Sequence, residues 1–331
     1  MSHDAGMASN TEGIWKSRIQ PAARSERPHS ESDLGAFREL WWHADQLRLL
    51  GDRLGLDTIE SFADLGCGAG YWTSIILSLL TKPRKAVAID LEALWLEGAE
   101  TRLKADLLRR GQHESLLQLV MVKADIHSLP MENACVDLAT CQSVLMHSRE
   151  PRRVLSEMVR ILRPGGHVVC VEPDRLINYF TMDSLTSHWS PEEHGEVCRF
   201  WHHCRFGRIA MGDGDLAIGS LLSQFFVEQG LNDVRVYQRD KAFPILPPYK
   251  SDENQKWLGE LFNSDGTQNL LDPVRLSDWA RAGGASQAFA ERQISRLLCW
   301  LEGMRSDVAA RRYFSSGGGL MYMVTGRKAD D

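Results

Sequence analysis

An α/β fold built on a mostly parallel sheet is what this sequence predicts, and three observations predict it. Across residues 59–174, short apolar segments alternate with stretches whose apolar residues recur at helical spacing. The short segments are continuous apolar runs rather than alternating ones, the mark of strands buried on both faces. A glycine-rich turn follows the first run and an aspartate ends the second. Open parallel sheets bind ligands in that position, at the carboxyl ends of their strands.

The elements follow in order. A helix is expected to start near residues 32–33, with Phe37, Leu40, Trp41, Ala44 and Leu47 on one face. Residues 59–65 form the first strand and run into Gly66, Gly68 and Gly70. Residues 72–80 form an apolar helix closed by Lys82 and Pro83. The second strand covers 86–89 and ends at Asp90. Leu94, Trp95, Ala99, Leu103 and Leu107 mark the next helix. A third strand is expected at 117–122, before Asp125, and a fourth at 136–141. Pro151 opens a helix whose inner face is Val154, Leu155, Met158, Ile161 and Leu162. Residues 163–166 (Arg-Pro-Gly-Gly) read as a turn before a fifth strand at 167–172. Two later strands are expected at 234–237 and 320–324, among long helical stretches.

These elements divide the chain. Residues 1–34 are expected as a flexible tail and 35–174 as a core of one helix and five strands. Residues 175–231 form a helical cap insertion, 232–243 the sixth strand, 244–318 a second helical insertion, and 319–331 the seventh strand and C-terminus. The alternative for the tail is a segment around Ile14, Trp15 and Ile19 that folds over a ligand, since a tryptophan is wasteful in a pure tail.

Composition narrows the function classes. The 331 residues are 43% hydrophobic and 25% charged, enough apolar material for a sizeable core. No apolar run reaches the roughly 18–20 residues of a membrane span, so no membrane partner is expected. A net charge of −6 argues against a nucleic-acid partner held by phosphate neutralisation. The seven cysteines are odd in number and form no CxxC pair. With no apolar leader in the first residues, a cytoplasmic location is expected.

The run Asp64-Leu65-Gly66-Cys67-Gly68-Ala69-Gly70 carries the chemistry. Its glycines permit positive φ and let a ligand approach bare backbone. The third glycine comes one residue too early for the dinucleotide GxGxxG. The loop suits a nucleoside-type ligand carrying a small charged group. Asp90, 20 residues after Gly70 at a strand end, is placed to accept both hydrogen bonds of a ribose diol.

These residues resemble motif I and the ribose-binding acid of the class I S-adenosylmethionine-dependent methyltransferases. Asp125 and Ile126 resemble the residues that hold the adenine ring in that family. Leu162-Arg163-Pro164-Gly165-Gly166 resembles its turn before the fifth strand. Residues 141–147, ahead of the Pro151 helix, are similar to small-molecule members such as the quinone methyltransferases. The resemblance covers residues 59–174 and extends to the two late strands. It implies a Rossmann-like methyltransferase fold with a seven-stranded sheet in the order 3-2-1-4-5-7-6, the last strand antiparallel. It also implies S-adenosyl-L-methionine as cofactor and S-adenosyl-L-homocysteine as product. By resemblance Asp64, Gly66, Cys67, Gly68 and Gly70 line the methionine part. Asp90 and Leu91 flank the ribose, Asp125 and Ile126 meet the adenine, and Gln142 and Ser143 face the sulfonium. The chain as a whole is similar to bacterial specialised-metabolism enzymes such as indole C3-methyltransferases, a likeness that no short motif carries.

An acceptor site should come from the region after the fifth strand, where aromatic and imidazole side chains are dense: Tyr179, Phe180, His188, Trp189, His194, Phe200, Trp201, His202, His203 and Phe206. That content suits a flat aromatic small molecule held by stacking, or an amine drawn by cation–π contact. Glu172, Tyr179, His202 and His203 are candidate bases, and His147, just past the fourth strand, orients its loop or joins them. His194, Cys198 and His202 share a helix face, with Cys204 nearby, but fit no zinc spacing, so no metal is expected. Asp215 is expected to cap the helix bearing Leu216 to Phe226, and Asp213 is either idle or holds an acceptor amine. Indole carbon methylation leads, with N- or O-methylation of an amine, phenol or quinone as the alternative. A cofactor-binding scaffold without activity is the reading from another class. The helical insertions are the expected surface for any homo-oligomer. No Asn-Pro-Pro-Tyr motif follows the fourth strand, and the Pro247-Pro248-Tyr249 run reads as a rigid loop.

Overall fold

A computed structural model describes residues 36–110, 117–178, 182–263 and 272–330. The expected tail (1–34) and Tyr179 lie outside the described residues. The strands are β1 (Ser61–Leu65), β2 (Lys85–Asp90), β3 (Gln118–Lys123), β4 (Val136–Gln142), β5 (Leu162–Asp174), β6 (Asn232–Gln238) and β7 (Leu320–Arg327). They form one seven-stranded sheet in the order β3-β2-β1-β4-β5-β7-β6. β1 to β5 are mutually parallel, while β7 runs antiparallel to both β5 and β6. This is the Rossmann-like methyltransferase arrangement that the resemblance implies. β6 therefore points the same way as β4 and β5, and its carboxyl end lies at their edge of the sheet.

The helices are α1 (Ala44–Leu54), α2 (Tyr71–Leu79), α3 (Ala93–Arg109), α4 (Pro151–Ile161), the single turn α5 (Arg175–Asn178), α6 (Pro191–Met211), α7 (Ile218–Glu228), α8 (Asp252–Asn263), α9 (Pro273–Ala282) and α10 (Gln287–Ala309). Side chains alternate between the two faces of the sheet. Phe62 and Leu138 pack with Trp72, Leu50 and Met323 on one face. Ala63, Leu65 and Cys170 pack with Val154, Phe200 and Phe226 on the other. Central strands β1 and β4 are buried almost throughout, whereas the edge strands β3 and β6 are half-exposed. Among the described residues, no helix is long and apolar enough to cross a membrane.

Three expectations need correction. The helix expected from residues 32–33 through Leu47 is two elements: a 3-10 turn (Ala36–Trp41) and α1. Between them Trp42 turns inward against Trp72, ring centroids 5.8 Å apart, and extended His43 interrupts the helix. The turn at 163–166 is an excursion within β5. Val136 pairs with Leu162 and Leu138 with His167, so four residues loop out opposite Asp137, with Gly165 at φ 73°. Asp215 does not cap α7, which Ala217 precedes; its carboxylate accepts from the Ala217 N–H and pairs with Arg205 at 2.6 Å.

The insertions are clamped to each other and to the core by close backbone approaches. α6 starts with a capping box between Ser190 and Glu193, with Pro191 at its first turn. It crosses the end of α9 at Gly207 and Gly283. A Cβ on Gly207 would stand 1.7 Å from the Trp279 carbonyl, and one on Gly283 1.9 Å from that of His203. The turn after α6 rests on the loop following β4, where a Cβ on Gly214 would meet the Met146 carbonyl at 2.0 Å. Asp183 ties the two insertions together, accepting from Trp300 Nε1 and the Tyr313 hydroxyl, each at 2.8 Å.

Candidate active site

The site forms where β1, β2 and β4 end. The loop after β1 turns on three residues with positive φ: Gly66 (67°), Gly68 (51°) and Gly70 (79°). A Cβ on Gly66 would strike Val144 Cγ2 at 2.7 Å, so glycine there lets the loops after β1 and β4 touch. Gly68 N–H donates to Asp90 Oδ2 at 2.8 Å, while Asp90 Oδ1 accepts from the Glu92 N–H at 3.0 Å. The acid at the end of β2 thus shapes the glycine loop. Leu91 beside it is about half exposed. Cys67 is buried, and its N–H holds the Ile89 carbonyl. Burial and the acids Asp64 and Asp90 push its thiol far up, which keeps it an unreactive thiol.

Three buried polar atoms here have no hydrogen-bond partner among the described residues: Asp64 Oδ1, Gln142 Nε2 and Ser143 Oγ. Buried polar groups are ordinarily paired, so a cluster of three unpaired ones at one sheet edge points to a polar ligand. Asp64 is 1% exposed, and its other oxygen accepts from the Thr73 hydroxyl at 2.6 Å. Burial raises its pKa from 3.8 to about 7, with Asp90 adding to the rise and Thr73 and Arg38 opposing it. Ser143 takes φ 55°, unusual for a residue with a side chain, and is held there by its N–H to the Val171 carbonyl.

Glu172, expected among the bases, has another occupation. It is fully buried, and its two oxygens accept the N–H groups of Val144 (2.8 Å), Leu145 (2.7 Å) and Met146 (3.2 Å). It builds the loop after β4 rather than facing an acceptor. Burial raises its pKa from 4.5 to about 7 against those three donors. Arg38, in the 3-10 turn before α1, lowers both Asp64 and Glu172 electrostatically. The first described turn of the chain therefore approaches this edge, and it also packs on α8.

At the other end, Asp125 is exposed, with half-buried Ile126 beside it. Asp125 Oδ1 accepts from the His127 backbone N–H (2.9 Å) and from Nδ1 (2.7 Å), and His127 Nε2 meets Ser148 Oγ at 2.8 Å. The backbone hydrogen bond is the largest cause that lowers the Asp125 pKa. His127 and Ser148 carry no sequence signal; only the fold joins them to Asp125.

The histidines of α6 separate into two faces. His203 Nδ1 lies 2.9 Å from the Gly283 carbonyl and its ring meets Phe289 edge-on, so it is part of the α6–α9–α10 packing. His202 is half-buried, with its ring 6.4 Å from that of Phe206. His147 is half-buried and ends a short 3-10 turn (Leu145–His147). Asp213 is not idle: it accepts from Trp279 Nε1 at 2.8 Å. Among the described residues, no group of three or more His, Cys, Asp or Glu side chains is placed to hold a metal.

This geometry can be set beside known proteins. Residues 63–170 match the family model described as a methyltransferase domain. The match contains the glycine loop, Asp90, Asp125 and the loop after β4. A Streptomyces fradiae transposon protein of 37.1 kDa, described as uncharacterized, is 34% identical over 127 residues, 38% of this chain and 32% of its own. A demethylmenaquinone methyltransferase of Lactococcus lactis is 30% identical over 131 residues, 40% of this chain and 47% of its own. The chain thus spans about a third to a half of the length of these two relatives. The solved YcgJ protein of Bacillus subtilis is 15% identical, covering 87% of this chain and 100% of its own, at a TM-score of 0.47. The domain's cofactor is S-adenosylmethionine, and the unpaired Asp64 oxygen beside the glycine loop is an acceptor that fits its ammonium group.

Proposed function

We propose that this chain transfers a methyl group from S-adenosylmethionine to a small, flat aromatic acceptor, with carbon methylation of an indole-type ring leading. The observation that carries the reading is the trio of buried, unpaired atoms on Asp64, Gln142 and Ser143, inside the segment that matches a methyltransferase domain. The bound cofactor supplies an electrophilic methyl already activated by its sulfonium charge. The chain's own tasks are then to bind, align and remove a proton.

Asp64 holds the amino-acid end, as an anion against the ammonium. Gly66, Cys67, Gly68 and Gly70 give backbone access, and Asp90 and Leu91 line the ribose. Asp125 and Ile126 meet the adenine. Gln142 and Ser143 face the reacting centre, and Glu172 fixes their loop through three backbone donors. For an indole attacked at carbon, the new carbon–carbon bond forms as the carbon–sulfur bond breaks, and the ring nitrogen gives up its proton. His202 is the proposed acceptor of that proton, because its imidazole is not committed to the packing that occupies His203. Tyr179 and His147 are the remaining candidates. The aromatic lining of the cap supplies the stacking surface.

A second reading, methylation of a quinone, is favoured by one observation: a curated relative is a demethylmenaquinone methyltransferase. Incubation with S-adenosylmethionine and separate panels of indoles, phenols, quinones and amines, read by mass spectrometry for a methyl gain, separates the two. Methylation of indoles alone supports the leading reading, and methylation of quinones alone replaces it. Cofactor binding with no transfer to any panel member makes the chain a scaffold.

A further inference from the structure

At the carboxyl end of β6 a half-buried guanidinium has no ion-pair partner among the described residues. Arg239 follows the last residue of that strand, and its N–H bonds the Met321 carbonyl at 3.0 Å. Gln46 of α1 fixes the backbone on both sides: Nε2 donates to the Gln238 carbonyl (2.9 Å), and Oε1 accepts from the Asp240 N–H (3.3 Å). The guanidinium gives one hydrogen bond, Nη2 to the Gly319 carbonyl at 3.2 Å, and lies 4.8 Å from the centre of the Phe243 ring. Its Nε is buried and has no partner. Among the described residues no carboxylate forms an ion pair with it, and the nearby Lys241 is already taken by Glu253 at 2.6 Å. Burial lowers the Arg239 pKa to about 10, and the neighbouring Asp240 carboxylate opposes that fall. A buried donor left unpaired is costly, and charged groups perturbed by burial cluster at ligand sites.

The position ties this group to the site. Tyr322 of β7 pairs with Glu172 on one side and Gln238 on the other, so Arg239 stands level with the end of β5. Strands lie about 4.8 Å apart, which puts the end of β6 roughly 14 Å from the end of β4. Alternation sets the face: Tyr237, two residues before Arg239, packs with the cluster of Phe62 and Leu138, and Asp64 and Gln142 continue those rows. Arg239 thus shares an edge and a face of the sheet with Asp64 and Gln142.

We infer that Arg239, backed by the Phe243 ring, is an anion-recognition point for the acceptor, and that the acceptor is an aromatic acid that presents its carboxylate there. A guanidinium fork matches the two oxygens of a carboxylate, and Nε is one of the two donors such a fork uses. The inference rests on the methyltransferase reading for the acceptor's role, but the binding it requires is measurable without turnover. The test is calorimetric titration of protein saturated with S-adenosylhomocysteine, using indole-3-acetate and, separately, the neutral isostere indole-3-acetamide. The expected result is at least about tenfold tighter binding of the acid, as for a charge-assisted pair. In Arg239→Gln that preference shrinks to about twofold or less, and in Arg239→Lys, which keeps the charge but not the fork, it falls between. Affinity for S-adenosylhomocysteine is unchanged in both variants. Equal or weaker binding of the acid by the native chain, no binding of the acid, or a preference that survives in Arg239→Gln overturns the inference. Loss of S-adenosylhomocysteine binding by the native chain is the separate failure of the methyltransferase reading, and the acid–amide comparison on the unloaded protein then still decides the role of Arg239.

Discussion

Two buried carboxylates, Asp64 and Glu172, sit within one small region with pKa values raised to about 7. The sign follows from linkage. Each binds its proton more tightly folded than unfolded, so the stability it contributes is present below about pH 4 and lost as pH rises through 7. A ligand bringing positive charge beside Asp64 favours the anion and expels the proton. Titration of S-adenosylmethionine at pH 6.5 in buffers of different ionisation enthalpy should therefore report net proton release, and Asp64→Asn should reduce it. Glu172→Gln turns an NH2 group toward one of three backbone donors and should cost about 1–3 kcal/mol in thermal or denaturant unfolding. It should lower cofactor affinity as well, because the loop that carries Ser143 loosens. Gly66, Gly68, Gly70 and Asp90 stood out in the sequence because a strand-end glycine loop and an acid 20 residues on are residue types with a backbone or ligand reason, whereas Asp125 stood out only through the family resemblance. Glu172 was read as a candidate base rather than a loop clamp, since its three donors are backbone groups that carry no residue signature. Ser143 at positive φ and the His127–Ser148 contact are likewise products of the fold.

At the level of elements, β1 to β4 could be read within two residues because each holds a continuous apolar run, buried in β1, β2 and β4 and half-exposed in the edge strand β3. The excursion at 163–166 could not, since four residues opposing one is a property of the pairing with β4. The break after Trp41 was missed because Phe37, Leu40, Trp41, Ala44 and Leu47 keep helical spacing across it, while Trp42, off that stripe, packs against Trp72. In the cap, the histidine density of α6 suggested a reactive cluster, yet His203 serves the crossing with α9. That crossing depends on Gly207 and Gly283, whose role is visible only where the backbones meet. Gly207→Ala places a methyl into the Trp279 carbonyl and should destabilise the chain by about 1–3 kcal/mol, as overpacking does. Because the crossing lies within the insertions, turnover should fall while the affinity for S-adenosylhomocysteine stays within about twofold of native. Paired kinetic and calorimetric measurements check the split. By the same logic His203→Ala should lower the unfolding temperature, whereas His202→Ala should abolish turnover with cofactor affinity intact.

Across the whole molecule, one edge of the sheet gathers every feature with a chemical consequence. β1, β2 and β4 bring the glycine loop, Asp90 and the unpaired polar atoms to it; β5 adds Glu172, and β6 adds Arg239. The matched domain supplies the first group, and the parts of the chain beyond residue 170 supply Glu172, the cap and Arg239. The residues proposed for the cofactor therefore lie in local motifs, whereas those proposed for the acceptor come from distant segments that no motif links. The central claim is that Asp64, Gln142 and Ser143 are unpaired because S-adenosylmethionine pairs them. Calorimetric titration of the native chain and of Asp64→Asn with S-adenosylmethionine tests it most directly. The account predicts saturable binding of about one cofactor per chain, weakened at least about tenfold in Asp64→Asn. No binding by the native chain, or equal affinity in the two proteins, would contradict it.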